Sequence, residues 1–161
     1  MLAIRAAVAA DFPAVLELFR QVVASGDTYA YPPGTSGEQA RRWWLDPPAM
    51  PFVAEDDGRI VGSYSLKPNQ PGLGDHIANC GYMTDPACRG RGVASAMCAH
   101  SLAAAREAGF AAMQFNFVVA TNTGAIRIWE RHGFSVVGRV PAAFRHATRG
   151  LTDVLVMHRA L

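Results

Sequence analysis

The chain has 161 residues, half of them apolar and 17% charged, with a formal net charge of +2. That length suits one domain over residues 1–161 with a core of its own, and so balanced a charge argues against a nucleic-acid binder, which would show a basic stripe with aromatics beside it. The start, "MLAIRAAVAADFPAV", has neither a long apolar run nor a cleavage-site pattern, so no signal peptide and no membrane span are expected.

Cys80, Cys88 and Cys98 are an odd count without CxxC spacing. They suit neither a disulfide framework nor a zinc site, and no metal is expected. A reducing cytoplasm is the default location.

In chain order, "LAIRAA" reads as a short strand. "DFPAVLELFRQVVAS" carries an apolar helical stripe at Phe12, Val15, Leu16, Phe19, Val22 and Val23, with Asp11 as its N-cap. "GDTYAYPPGTSG" is turn-rich and aromatic, and "EQARRWWL" is a short helix. "PFVAEDDGRIVGSYSLKP" is two strands around a DDG turn. "HIANCGYMT" is the next strand, and "RGVASAMCAHSLAAAREAG" a helix ended by Gly109. "AAMQFNFVV" is a strand, and "NTGAIRIWERHG" a helix from Asn122 with Gly133 past its end. "FSVVGRVP" and "TDVLVMHRAL" close the chain as strands. Strand–helix–strand alternation in the second half implies some parallel pairing, while the hairpins imply antiparallel neighbours. The expected fold is α/β: a mixed, mostly antiparallel sheet with helices on both faces.

"DPACRGRGVASAM", Asp85 to Met97, sits between a strand and a helix. The first amides of a helix lack internal partners, the helix dipole adds positive charge, and glycine lets an anion approach the backbone. Arg89 and Arg91 can add charge-assisted bonds. The segment is neither GxxxxGK[ST] nor GxGxxG, and alone it is either a phosphate cradle or a basic turn. In "NTGAIRIWERHGF", Asn122 caps a helix or offers its amide to a ligand, Ala125 allows close packing, and Trp129 lies on the same face.

Taken together, Arg89-Gly90-Arg91-Gly92-Val93-Ala94 and the later set Asn122, Ala125, Trp129, Gly133 and Phe134 resemble the two motifs of the GNAT superfamily of N-acetyltransferases. The resemblance spans nearly the whole chain and agrees with the strand order. It implies acetyl-CoA as co-substrate, with its pyrophosphate on the amides from Arg91 to Ser95. The pantetheine arm would pair with the strand ending at Met83 and Thr84, flanked by Asn122 and Trp129. A small-molecule amine would be the partner, in a homodimer.

The transfer needs a neutral amine, donors for the developing oxyanion and a route for the thiolate. Amides of a bulged strand around Tyr82 and Met83 could polarise the carbonyl. Where many relatives have an acidic tyrosine, this chain has Trp129, whose indole cannot protonate a thiolate. Tyr82 is then the nearest alternative acid, or a core residue. His76, taken as starting the strand before the cofactor loop, is a candidate base or a surface residue. His100 and His132 read as solvent-facing.

Asn79 and Asn116 interrupt apolar strands, where asparagine is depleted, so each is a structural bridge or a ligand contact. With "NCGYM", "FNFVV" and "TNTGAIRIW" they resemble the fungal N-acetyltransferases that detoxify proline analogues and, more loosely, bacterial phosphinothricin-type acetyltransferases. Carried over, both asparagines hold an amino-acid-like substrate. Tyr29 and Tyr31 would line its pocket or pack in the core, and Arg145 with His146 would meet a carboxylate from a late loop. An acetyl-CoA sensor without turnover and a peptide N-acetyltransferase are the alternatives.

Overall fold

The apolar stripe of residues 12–23 forms helix α1, Phe12–Ser25, burying Val15, Leu18, Phe19 and Val23. A computed structural model describes all of residues 1–161. Asp11 occupies the N-cap position of α1, but its side chain makes no capping bond to that helix: its carboxylate accepts from Val8 N–H at 2.8 Å and from Arg5 at 2.7 and 3.0 Å. The Arg5 guanidinium holds this carboxyl below its ordinary value. Helix α2, Gly37–Trp44, starts at Ser36, which exchanges side-chain and backbone hydrogen bonds with Gln39, a capping box.

The strands are β1 (Ala3–Ala6), β2 (Met50–Asp56), β3 (Arg59–Pro68), β4 (Ile77–Thr84), β5 (Ala112–Val119), β6 (Ser135–His146) and β7 (Gly150–Ala160). Helix α3 is Val93–Glu107 and α4 is Thr123–Arg131. Asp57 and Gly58, at φ 49° and 78°, make the tight β2–β3 turn. The last two strands run further toward each other than their apolar pattern suggests, because the ladder continues to His146↔Gly150. The register shift between Val140 and Phe144 absorbs Pro141, which has no amide for a ladder.

The strands form one sheet in the order β1-β2-β3-β4-β5-β7-β6. Every neighbouring pair is antiparallel except β4 and β5. This is the mixed, mostly antiparallel architecture that the sequence predicts. Helices α1 and α2 cover one face over Val53 and Met83. Helices α3 and α4 cover the other, over Tyr64, Leu66, Ala78, Cys80, Met113 and Phe115. No helix is long and apolar enough to cross a membrane.

One feature positions the site. β4 and β5 pair only from Ile77↔Ala112 to Asn79↔Gln114, then part. Beneath the gap, Trp129 of α4 wedges between Tyr82 of β4 and Phe115 of β5, at centroid distances of 4.7 and 5.2 Å. An indole 7% exposed leaves no room there for the strands to close.

Candidate active site

The β3–β4 ladder is regular from Gly62↔Thr84 to Pro68↔Ala78. Asn69 N–H donates to the Ile77 carbonyl and Asp85 N–H to that of Val61. The odd-numbered residues of β4 therefore turn their peptide groups toward β3. The even-numbered ones turn theirs toward β5, as His76 does in accepting from Ala111 N–H. Past Asn79 there is no strand to meet them, so the N–H and C=O of Tyr82 and Thr84 point into the gap. The Tyr82 carbonyl accepts from the Tyr29 hydroxyl at 2.8 Å.

The gap opens into a cleft of about 1140 Å³, larger than a typical small-ligand pocket. At one end lies the loop before α3. Asp85 caps Ala87 N–H at 2.8 Å, and Gly90 and Gly92 both sit at φ 80°. A Cβ on either would meet nothing within 4 Å, so the space beside them is free. The first amide of this helix with a backbone acceptor is Ala96, to Gly92. The amides of Gly92, Val93, Ala94 and Ser95 thus converge without partners, as an anion requires. Ser95 Oγ and His132 Nε2, 2.9 Å apart, tie this first turn to the end of α4. Burial and the neighbouring Arg159 hold His132 below its ordinary value.

Across the gap, the Asn122 Oδ1 caps Ala125 N–H at 3.3 Å, and its Nδ2 makes no bond within the chain. Ala125 and Trp129 line the same wall. The Trp129 N–H likewise has no partner in the chain.

The other end of the cleft is aromatic and amide-rich. Tyr29 stacks on Tyr31 at 5.4 Å, and Tyr31 on Trp43 at 4.9 Å. Burial pushes both tyrosine phenols up. Asn79 donates to the Gln114 carbonyl at 3.0 Å, leaving its Oδ1 free. Asn116 accepts from Gln114 Nε2 and donates to Asn69 Oδ1. The hydroxyls of Thr28, Ser65 and Thr121 are buried without partners, and all three residues line this cleft.

The structure relocates several of the expected site residues. His76 is exposed in the turn before β4, about 20 Å along the strand from Tyr82, and does not line the cleft. The Arg91 side chain is paired with Asp56 at 2.8 Å, and its amide donates to Cys88; the cradle therefore starts at Gly92. β4 carries no bulge, and Met83 turns its peptide toward β3 while its side chain is 1% exposed in the core. The Tyr82 hydroxyl turns away from the gap to Ser101 Oγ at 2.7 Å, where burial pushes it far above its ordinary value. Arg145 is on β6 and off the cleft wall; strand alternation turns it away from His146, which with Arg149 lines the cleft. His100 is not solvent-facing, since its Nδ1 lies 2.7 Å from the Tyr64 hydroxyl.

Sequence reading passed over Ser65, Lys67, Gly81, Trp43, Arg127 and Arg149, which also line the cleft. Two signals were present: serines at alternate positions of an apolar strand, and a single lysine in the chain.

Residues 14–134 match the Acetyltransferase (GNAT) family. A GCN5-related N-acetyltransferase from Kribbella flavida is 46% identical, with a TM-score of 0.95 over 99% of this chain and 98% of that one. A ribosomal-protein-alanine N-acetyltransferase from Brucella melitensis is 25% identical, with a TM-score of 0.88 over 99% of both chains. The fold is shared by a phosphinothricin acetyltransferase from Sinorhizobium meliloti in complex with acetyl-CoA, 24% identical, with a TM-score of 0.86 over 99% of this chain and 88% of that one. N-acetyltransferase aca1 of Schizosaccharomyces pombe is 37% identical over 53% of this chain and 41% of its own length, so the match spans less than half of that relative. The chain belongs to the GNAT family of acetyltransferases.

Proposed function

We propose that the chain, as one domain, transfers the acetyl group of acetyl-CoA directly to the amine of a small amino-acid-like acceptor. The observation that carries the reading is the gap between β4 and β5. The Tyr82 N–H and the Thr84 peptide, without a strand partner, line one side, Asn122 and Trp129 line the other, and the four free amides of Gly92–Ser95 close its end.

Acetyl-CoA, when bound, supplies an activated thioester and a thiolate of tolerable basicity. Gly92–Ser95 and Arg89 would hold its pyrophosphate. The Thr84 peptide and Asn122 Nδ2 would hold the pantetheine amides. The Tyr82 N–H, which faces the gap, would donate to the thioester oxygen as it gains charge. Trp129 keeps water from beneath the gap, and its N–H is a donor without being an acid. Asn79 Oδ1 would accept from the acceptor amine, and the second Nδ2 hydrogen of Asn116 would donate to the acceptor. Tyr29, Tyr31 and Trp43 form the apolar wall. The cleft's carboxylates and histidine are Asp27, Asp85 and His146. Asp85 is spent on Ala87 N–H and on Arg59, and Asp27 accepts from Ser25 at 2.5 Å. His146 accepts from Thr148 N–H through Nδ1, which leaves Nε2 as an uncommitted base on the wall; the acceptor would attack as the neutral amine.

The test is thiol release from acetyl-CoA over a panel of amino acids, polyamines and basic peptides, followed by Asn79→Ala and Asn116→Ala with the best acceptor. Each variant should lose about 1–3 kcal/mol of acceptor binding or transition-state stabilisation and keep its acetyl-CoA affinity. Release only with peptides would make the chain a peptide N-acetyltransferase. Acetyl-CoA binding with no release on any amine would make it a sensor.

The proposal includes a homodimer through β6. This edge strand exposes Val136, Val137 and Val140 at 46%, 59% and 47%, and a long apolar edge invites pairing; sedimentation at micromolar concentration tests it. Three free, buried cysteines support a cytoplasmic setting.

A further inference from the structure

We infer that the acceptor carries an anionic group and that Lys67 reads it, an inference resting on the acetyl-transfer reading above. Lys67 is the only lysine in the chain. It is half-buried on β3, lines the cleft and forms no ion pair. Strand alternation puts it on one face with Ser65 and Asn69, and the β3–β4 register sets it opposite Asn79. Ser65, Gly81's register partner, is 4% exposed with an unpartnered hydroxyl.

The corner around Lys67 is thus built of amides and a hydroxyl: Ser65, Asn69, Asn79 and Asn116, with no carboxylate among them. Of the carboxylates on the cleft wall, Asp85 is paired with Arg59 and Asp27 accepts from the Ser25 hydroxyl, and neither forms an ion pair with Lys67. Arg149 sits at the tip of the β6–β7 hairpin, which is tied to the end of α1 by Ala147 N–H donating to Gly26 O at 2.9 Å; like Arg89, Arg127 and Arg131, it lines the cleft without an ion pair. A half-buried ammonium without a counter-charge, among groups that can donate or accept but not neutralise it, suits a ligand that brings the negative charge. A carboxylate is the fitting group, since Ser65 and the asparagines can share its remaining lone pairs. Lys67 is therefore a specificity residue: it selects the anion while the amine is held near the gap.

The experiment compares matched acceptors, an α-amino or imino acid against its primary amide, by thiol release in wild type, Lys67→Met and Lys67→Arg, with melting curves for each. Wild type should favour the acid in kcat/KM by about ten- to hundredfold, the worth of one charge-assisted hydrogen bond. In Lys67→Met the loss should fall on KM for the acid and bring the ratio near one, and Lys67→Arg should restore most of the preference. Equal use of acid and amide by wild type overturns the inference whatever the variants do, as does an unchanged ratio in a folded Lys67→Met. Acetylation without preference for the acid leaves the acetyl-transfer reading standing. Failure to acetylate any amine overturns that reading and this inference together.

Discussion

Replacing Gly81 with alanine probes how tightly the acceptor wall is built. A Cβ there would stand 3.0 and 3.1 Å from the Trp44 ring and 3.1 Å from the Tyr29 hydroxyl. Trp44 cannot yield: it is 2% exposed, its N–H donates to Ser63 Oγ at 2.9 Å, and its edge abuts Phe19 at 6.3 Å. The strain must fall on Tyr29, pushing its hydroxyl off the Tyr82 carbonyl. Overpacking costs about 1–3 kcal/mol and the lost hydrogen bond about 1 kcal/mol more, so the sum is about 2–4 kcal/mol. For a chain of this size each kcal/mol lowers Tm by about 2–4 °C, which gives a fall of about 5–15 °C. In a Tyr29→Phe background the offending oxygen is gone, and the same substitution should cost about 1 kcal/mol less. Thermal melts of the four-member cycle read both quantities. A melt within about 1 °C of wild type for Gly81→Ala, or a cycle with no coupling, would refute the reasoning.

Gly92→Val places a branched side chain in the space beside the free amides, and calorimetry should show acetyl-CoA affinity falling at least about tenfold, about 1.4 kcal/mol; unchanged affinity in a folded variant puts the phosphates elsewhere. Trp129→Phe keeps the wedge and removes only a weak donor, so kcat should stay within about tenfold. A loss of several orders of magnitude with acetyl-CoA still bound would make the indole part of the chemistry. Because Arg5 holds Asp11 below the ordinary value of 3.8, the pair's contribution to stability is complete above about pH 4 and is lost as pH falls through the lowered value. Asp11→Asn should therefore lower stability by about 1–3 kcal/mol at neutral pH and lose part of the wild-type fall between about pH 4 and 2; parallel acid-unfolding curves would contradict this.

The helices and strands were legible because each is written in local periodicity. The glycine loop before α3 was legible because its signals are local too: glycines and a helix start within a few residues. What failed depended on partners distant in sequence. Arg91 looks free beside Gly90 and Gly92, but Asp56 from the β2–β3 hairpin claims it. Tyr82 looks available as an acid until Ser101 of α3 takes its hydroxyl. His76 is near the cofactor loop in sequence, yet an extended strand carries it far away. Arg145 reads as a loop residue because Pro141 interrupts the strand pattern, and the register shift that tolerates that proline is invisible in composition. Lys67 reads as an ordinary surface charge unless its solitude in the chain is noticed.

The peptide groups of Tyr82, Thr84 and Gly92–Ser95 are unchanged by any substitution except one to proline, which removes the N–H. A donor-side grip made of them, as proposed above, would survive exchange of nearly every side chain around it, with Gly90 and Gly92 as the fixed points because of their backbone angles. The proposed acceptor side would be built the opposite way, from the tips of Lys67, Asn79, Asn116, Tyr29 and the hairpin's Arg149. A handful of single-base changes there can redirect which amine is taken, with no penalty on how the acetyl donor is held. Divergence in this scaffold is therefore channelled toward new acceptors, and the donor chemistry is inherited with the backbone.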